Sequence, residues 1–225
     1  MRVEPRRISL GDGSQVSAEV AFPDDHQPGT GVAVILGHGA GTDMTNPQLG
    51  AVHRGLAERG LVAVKFNFPY SEQKRRAPDR MPVLEACFRD VVQAVQADAA
   101  ILPEKLILGG KSMGGRVASH LAAKGVACAG LVFLGYPLHP AGRPEQLRTA
   151  HLPQIPAPML FFAGTRDGLC DLRLLRQAIE ALHVPITLHV IEGGDHSFKV
   201  LKSVARSVPV DQELADVSAR WIAKL

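Results

Sequence analysis

The sequence predicts an α/β fold: a mostly parallel sheet of about 7-8 strands with helices on both faces and no separate cap domain. Three observations predict it. Short apolar runs of strand length alternate with segments of helical period along the whole chain. The middle runs, such as VAVIL at 32–36 and GLVFLG at 130–135, are apolar on every residue, as in strands covered on both faces. The first two strand-like runs, by contrast, are separated only by a turn signal, Asp12-Gly13, which marks an antiparallel hairpin.

Taken in order, residues 3–10 and 15–22 form that hairpin, the second strand alternating through Val16, Ala18 and Val20. VAVIL runs straight into Gly37-His38-Gly39-Ala40-Gly41, and a helix over 47–59 follows, opened by Pro47 and closed by Gly60. LVAVKFNF at 61–68 is the next strand, stopped by Pro69. A polar loop at 71–80 leads to a helix over about 82–98, with Val83, Leu84, Cys87, Val91, Val92 and Val95 at helical spacing. KLILGG at 105–110 is a strand ending in glycines, followed directly by a helix over 113–124 that ends at Gly125. Strands at 130–135 and 158–164, a helix at 171–182, a strand at 186–191 and a last helix at 211–224 complete the pattern. The long irregular stretches are 69–81, 136–157 and 197–209, too short for a cap, so residues 1–225 read as a single domain.

Composition excludes several classes. The net charge of +3 comes from 25 basic and 22 acidic residues, and aromatics make up 5%, so there is neither the basic patch nor the stacking aromatics of a nucleic-acid binder. No apolar run approaches the roughly 20 residues of a membrane-spanning helix. The start, MRVEPRRISLGDGSQV, has no apolar stretch of signal-peptide type. Cys87, Cys128 and Cys170 are far apart and contain no CxxC, as expected of free thiols in a reducing compartment. The expected location is cytoplasmic. No metal-ligand spacing is present, so no metal or other cofactor is expected.

The chemistry concentrates at the carboxyl ends of the predicted strands, where open α/β sheets place their sites. Gly110-Lys111-Ser112-Met113-Gly114 matches G-x-S-x-G and lies between a strand and a helix. Glycines flank the serine because side chains there would collide with neighbouring backbone, and the turn lifts the Ser112 hydroxyl clear of the sheet. The same residues resemble the end of a phosphate-binding loop, but the position of that motif's first glycine holds Lys105. The first helical N–H, that of Met113, is one expected oxyanion donor. The second is expected from the earlier loop, at Ala40, with Gly41 as the alternative. His38 in that loop reads as a backbone-bonding residue. Gly164-Thr165-Arg166-Asp167-Gly168 places Asp167 as the acid; Asp171 is the alternative but reads as a helix N-cap. Glu192-Gly193-Gly194-Asp195-His196 places His196 as the base, while His189 falls inside a strand. The order serine, aspartate, histidine is that of a nucleophile, acid and base triad.

These features together resemble the α/β-hydrolase superfamily over nearly the whole chain, and in particular its small, capless, dienelactone-hydrolase-like branch. Within that branch HGAGTDMTNP (38–47), FNFPYS (66–71), GGKSMGGRVAS (109–119), FLGYPLHP (133–140), GTRD (164–167) and GGDHSF (193–198) resemble the KANL/Tex30-type hydrolase-like domain. That group includes a regulatory subunit of a histone acetyltransferase complex and bacterial proteins of unknown substrate. The resemblance implies Ser112 as nucleophile, Asp167 as acid and His196 as base. Dienelactone hydrolases themselves use cysteine, so Ser112 departs from them.

The expected activity is that of a serine esterase acting on small or medium ester-like molecules through an acyl-enzyme. The alternatives are an interaction module that keeps the fold without relevant chemistry, and an acyltransferase or thioesterase using the same triad. Phe68, Tyr70, Tyr136, Leu138 and Phe198 are candidates to line the substrate pocket, or else to pack the loops. Asp43 and Met44 border the first oxyanion loop in sequence. Lys74, Arg75 and Arg76, and Lys199, Lys202 and Arg206, are candidates to attract an acidic substrate or simply to solvate the surface. A homodimer is possible on this reading.

Overall fold

The computed structural model describes residues 1–225. Its strands are β1 (Arg2–Ser9), β2 (Gln15–Phe22), β3 (Val32–Gly37), β4 (Val62–Phe66), β5 (Lys105–Lys111), β6 (Gly130–Leu134), β7 (Met159–Gly164) and β8 (Ile186–Ile191). Its helices are α1 (Pro47–Ala57), α2 (Pro69–Glu72), α3 (Met81–Ala97), α4 (Met113–Ala123), α5 (Leu172–Glu180) and α6 (Val210–Ile222). One eight-stranded sheet runs in the order β1-β2-β4-β3-β5-β6-β7-β8. The β1–β2 and β2–β4 pairs are antiparallel, and every pair from β4 through β3 to β8 is parallel.

The all-apolar strands bury both faces, as their composition requires. Along β3, Ala33 and Ile35 enter a core with residues of α3, α4 and α5, while Val34 and Leu36 enter a second core with residues of α1 and α6. Such two-sided burial needs helices on both faces, and the crossover connections between parallel strands supply them. Burial also admits Lys65 on the α1 face of β4, because its ammonium reaches Glu19 Oε2 at 2.8 Å and the Met44 carbonyl at 3.1 Å.

The structure departs from the sequence pattern after β4. That strand ends at Phe66, and the stretch from Pro69 that reads as irregular opens with the one-turn helix α2. Pro69 sits at the helix start, where a missing N–H costs nothing, so the residue that stops the strand also begins the helix. Asn46 caps α1 by accepting from the Leu49 N–H at 3.1 Å, ahead of Pro47. No helix is long and apolar enough to cross a membrane.

Candidate active site

The site forms at the carboxyl ends of β3, β5, β7 and β8. β5 leads into α4 through Ser112, whose backbone sits at φ 48 and ψ −109, a strained region for a residue with a side chain. Glycine makes the turn possible. A Cβ on Gly114 would overlap the carbonyl group of Gly37 in β3, and one on Gly110 would overlap the same group. The start of α4 therefore lies against the end of β3, and Ser112 is held at the junction.

The loops after β7 and β8 are stitched together in a similar way. The Thr165 N–H donates to the Ile191 carbonyl at 3.2 Å, and the Arg166 N–H donates to the Gly194 carbonyl at 2.9 Å. Gly193 N–H donates to Thr165 Oγ1 at 2.9 Å. This places Asp167 from one loop beside His196 from the other. The Asp167 side chain is fully buried and its Oδ1 also accepts the Leu169 N–H at 2.8 Å.

The three side chains form one hydrogen-bonded chain. His196 Nδ1 lies 2.9 Å and 2.8 Å from the two Asp167 carboxylate oxygens, and His196 Nε2 lies 2.8 Å from Ser112 Oγ. A carboxylate can only accept, so Nδ1 carries the proton and Nε2 faces the Ser112 hydroxyl as an acceptor. Asp171 takes no part: it caps α5, its Oδ1 accepting from Arg173 and Leu174 N–H groups at 2.8 and 3.2 Å. His189 points to α6, with Nε2 2.7 Å from Glu213 Oε1.

Ser112 opens into a cavity of about 370 Å³ lined by Ala40 and Met113, with Met81, Leu84, Arg116 and Arg148 further along its walls. The Met113 N–H is the first of α4 and has no acceptor within the helix. The Ala40 N–H, in the loop after β3, has no protein acceptor either. Both residues expected from the sequence as oxyanion donors thus line the same cavity as Ser112. The loop that carries Ala40 is fixed by His38. Its Nε2 accepts the Phe68 N–H at 3.1 Å, so Nδ1 is protonated and donates to the Gly39 carbonyl at 2.9 Å. Burial pushes the His38 pKa below its ordinary value, which keeps the ring neutral in this role.

The five residues expected to line the pocket need correcting. Phe68, Tyr70, Tyr136, Leu138 and Phe198 are all buried, and none of them borders the cavity. They are the supports beneath the loops. Phe68 packs edge-on against His38, with ring centroids 5.0 Å apart, and the Tyr70 hydroxyl donates to the Gly39 carbonyl at 3.2 Å. The Tyr136 hydroxyl donates to the Arg148 carbonyl at 2.7 Å, and the Leu138 carbonyl accepts the Arg148 N–H at 2.8 Å. Phe198 lies under the Lys111 ammonium, 4.7 Å from its ring centroid. Aromatic area near strand ends is buried when the loops fold back over it, and each phenol hydroxyl then finds a backbone carbonyl.

The basic side chains of the two loops do not line the cavity, although Pro78 and Asp79 of the first loop do. Arg75 pairs with Asp79 at 2.7 Å, Arg206 pairs with Glu213, and Lys74, Arg76, Lys199 and Lys202 lie outside the lining. Asp43 instead accepts the Thr45 N–H at 2.7 Å, and the Met44 N–H donates to Asn67 Oδ1 at 2.9 Å, so both serve the loop and not the pocket. The cations that do line it, Arg116 and Arg148, carried no signal of their own. Arg116 sits within GGKSMGGR but one helical turn past the serine, and Arg148 comes from an irregular stretch.

Lys111, between the glycine and the serine of the motif, is buried and donates to the His196 carbonyl. Burial pushes its pKa down to about 8, against the attraction of Asp167 and Asp195.

Solved structures share this arrangement of elements. A dienelactone hydrolase from Anabaena variabilis is 19% identical, with 99% of this chain and 97% of that chain covered at a TM-score of 0.76. A serine hydrolase without lid from Xanthomonas campestris is 22% identical over 98% of this chain and 95% of its own, at 0.74. An alpha-beta serine hydrolase homologue from Coxiella burnetii is 19% identical over 98% and 96%, at 0.73. At these identities the likeness shows the fold, here the capless α/β-hydrolase fold. The family described as alpha/beta hydrolase domain matches residues 30–223, from just before β3 to the end of α6, and this chain belongs to that family.

Proposed function

We propose that the protein is a serine hydrolase that cleaves small or medium ester-type substrates. The observation that carries this reading is the unbroken chain from Ser112 Oγ through the His196 ring to the buried Asp167, opening on a cavity with unengaged N–H groups. Ser112 Oγ attacks the ester carbonyl while His196 Nε2 takes its proton. Asp167 holds the imidazole in the required tautomer and stabilises its charged form. The Met113 and Ala40 N–H groups receive the developing oxyanion; one such donor contributes roughly 3–4 kcal/mol in comparable sites. The alcohol leaves with the proton from His196. Water then attacks the acyl-enzyme, giving its proton to His196, and Ser112 is regenerated.

The test is covalent labelling. A fluorophosphonate probe is expected to add once to the intact wild type and not to Ser112→Ala, as read by mass. A folded wild type that gains no adduct overturns the hydrolase reading.

A further inference from the structure

We propose that the cavity beside Ser112 receives an acyl chain ending in a carboxylate, which Arg116 and Arg148 hold. This inference rests on the hydrolase reading and names the class of substrate for the same site.

The two guanidinium groups face one cavity, and no carboxylate lies within ion-pair distance of either. Neither forms an ion pair or a side-chain hydrogen bond with the protein, and Arg116 Nε is buried with no partner at all. The carboxylates nearby are engaged elsewhere. Asp79, which also lines the cavity, binds Arg75 at 2.7 Å through Oδ1, while its Oδ2 is buried without a partner and reaches neither Arg116 nor Arg148. Glu85 binds Lys124 at 2.5 Å and faces His120 at 3.7 Å. Arg116 and Arg148 repel each other, and burial adds to the cost of the Arg116 charge. His120 and His151, stacked at 3.8 Å between centroids, add no negative charge. Two half-buried cations with no direct ion pair, attracted only at longer range by Glu85, form a site of positive potential that an anion would complete. Planar guanidinium groups match the two oxygens of a carboxylate.

The structure spends bonds to keep the pair there. The Arg148 backbone is gripped on both sides, its N–H by the Leu138 carbonyl and its carbonyl by the Tyr136 hydroxyl. Arg116 lies one turn along α4 from Ser112, so its backbone is displaced by about 6 Å along the helix axis. The cavity that holds Ser112 and the arginines also has apolar wall, from Met81, Leu84, Met113 and Leu169. An ester carbonyl at Ser112, a short methylene chain along these walls and a carboxylate at the arginines describes a dicarboxylic acid monoester of roughly four to five acyl carbons. Ser112 Oγ bonds to the ester carbon, the ester C–O bond breaks and the alcohol departs. One water then supplies hydroxyl to the acyl carbon, releasing the dicarboxylate.

The experiment compares the p-nitrophenyl monoester of glutaric acid with its neutral methyl p-nitrophenyl diester. Wild type is expected to favour the acid in kcat/KM by about tenfold or more, the size of one charge-assisted contact. Arg148→Gln and Arg116→Gln are each expected to bring that ratio down towards one, and the ratio cancels any general loss in the variant. A wild-type ratio at or below one, or a ratio unmoved in both variants, overturns the proposal while leaving the hydrolase reading in place. A binding arm separates the two. Monomethyl glutarate is expected to bind Ser112→Ala in calorimetry and not Ser112→Ala/Arg148→Gln. Binding with that dependence supports the anion site even if no ester is cleaved and Ser112 fails to label. Absent or arginine-independent binding overturns it.

Discussion

Ser112 and His196 are held by partly different means. Ser112 stands on packed backbone: α4 begins against the end of β3, and the contacts at Gly110 and Gly114 are with the Gly37 peptide itself. His196 stands on a loop that also meets the β7 loop through backbone, at Gly164 and Arg166, but carries side-chain braces besides. Asp195 Oδ1 accepts the Ser197 and Lys199 N–H groups at 2.8 and 2.9 Å, Gln48 reaches the Ser197 carbonyl at 2.8 Å, and Lys111 reaches the His196 carbonyl. Backbone packing admits essentially one arrangement, because peptide groups have no rotamers to yield. A side-chain brace can be lost in parts. Changes at this elbow, the tight turn from β5 into α4 at Ser112, should therefore act mainly on the fold, and changes to the braces around His196 mainly on rate.

The largest effect expected on rate is from Asp167→Asn. The amide keeps an oxygen for the Leu169 N–H but removes the negative partner of His196 and permits the wrong ring tautomer. On an ester that wild type cleaves, kcat is expected to fall roughly 10⁴-fold, as in comparable triads. The thermal midpoint should move far less than the rate. A loss below tenfold would mean that Asp167 does not act as the acid.

Gly114→Ala tests the other member of the comparison. The new Cβ meets the Gly37 carbonyl, which cannot rotate away, so the fold is expected to lose about 3 kcal/mol or more. Gly168→Ala is the control. It lies in the Asp167 loop, where an added Cβ meets nothing within 4 Å, and should change stability by no more than about 0.5–1 kcal/mol. Chemical denaturation of the two variants beside wild type reads the difference directly. Equal losses would show that the elbow is no more constrained than the loop.

The same contrast explains what was legible in the sequence. Ser112, Asp167 and His196 could be placed because each follows an apolar strand and sits among glycines, a local pattern that leaves a trace in order and spacing. The sheet was legible for the same reason, since strands buried on both faces cannot hide their composition. Arg116 and Arg148 left no such trace: one is a helical residue and the other a loop residue, and only the fold brings them to one cavity. Phe68, Tyr70, Tyr136, Leu138 and Phe198 show the converse. Their closeness to strand ends was legible, but whether an aromatic lines a pocket or supports a loop depends on where the loop folds back. Pro69 carried both meanings, strand stop and helix start, and α2 follows from the second.

Lys111 supplies the finest test of the comparison, because it sits in the elbow's motif yet serves the His196 loop. Lys111→Met keeps the buried chain over Phe198 and removes the donor to the His196 carbonyl. A drop in kcat of about tenfold is expected, with KM changed less, if that bond aims the imidazole. The pH dependence carries a sign. Burial holds the Lys111 pKa at about 8 in the folded protein against an ordinary 10.5. Between these values the unfolded chain binds the proton that the folded chain has released, so the contribution of Lys111 to stability rises with pH across this window. Wild type should therefore gain stability over Lys111→Met from pH 8 to 10.5, by roughly 2–3 kcal/mol in total, measured by denaturation at each pH. Activity should move the other way, because a neutral amine grips the His196 carbonyl less strongly than an ammonium does. A wild-type rate that declines above pH 8 while its stability relative to the variant climbs would assign the brace to the ammonium. Parallel pH profiles for both proteins would show that the His196 loop keeps its place without it.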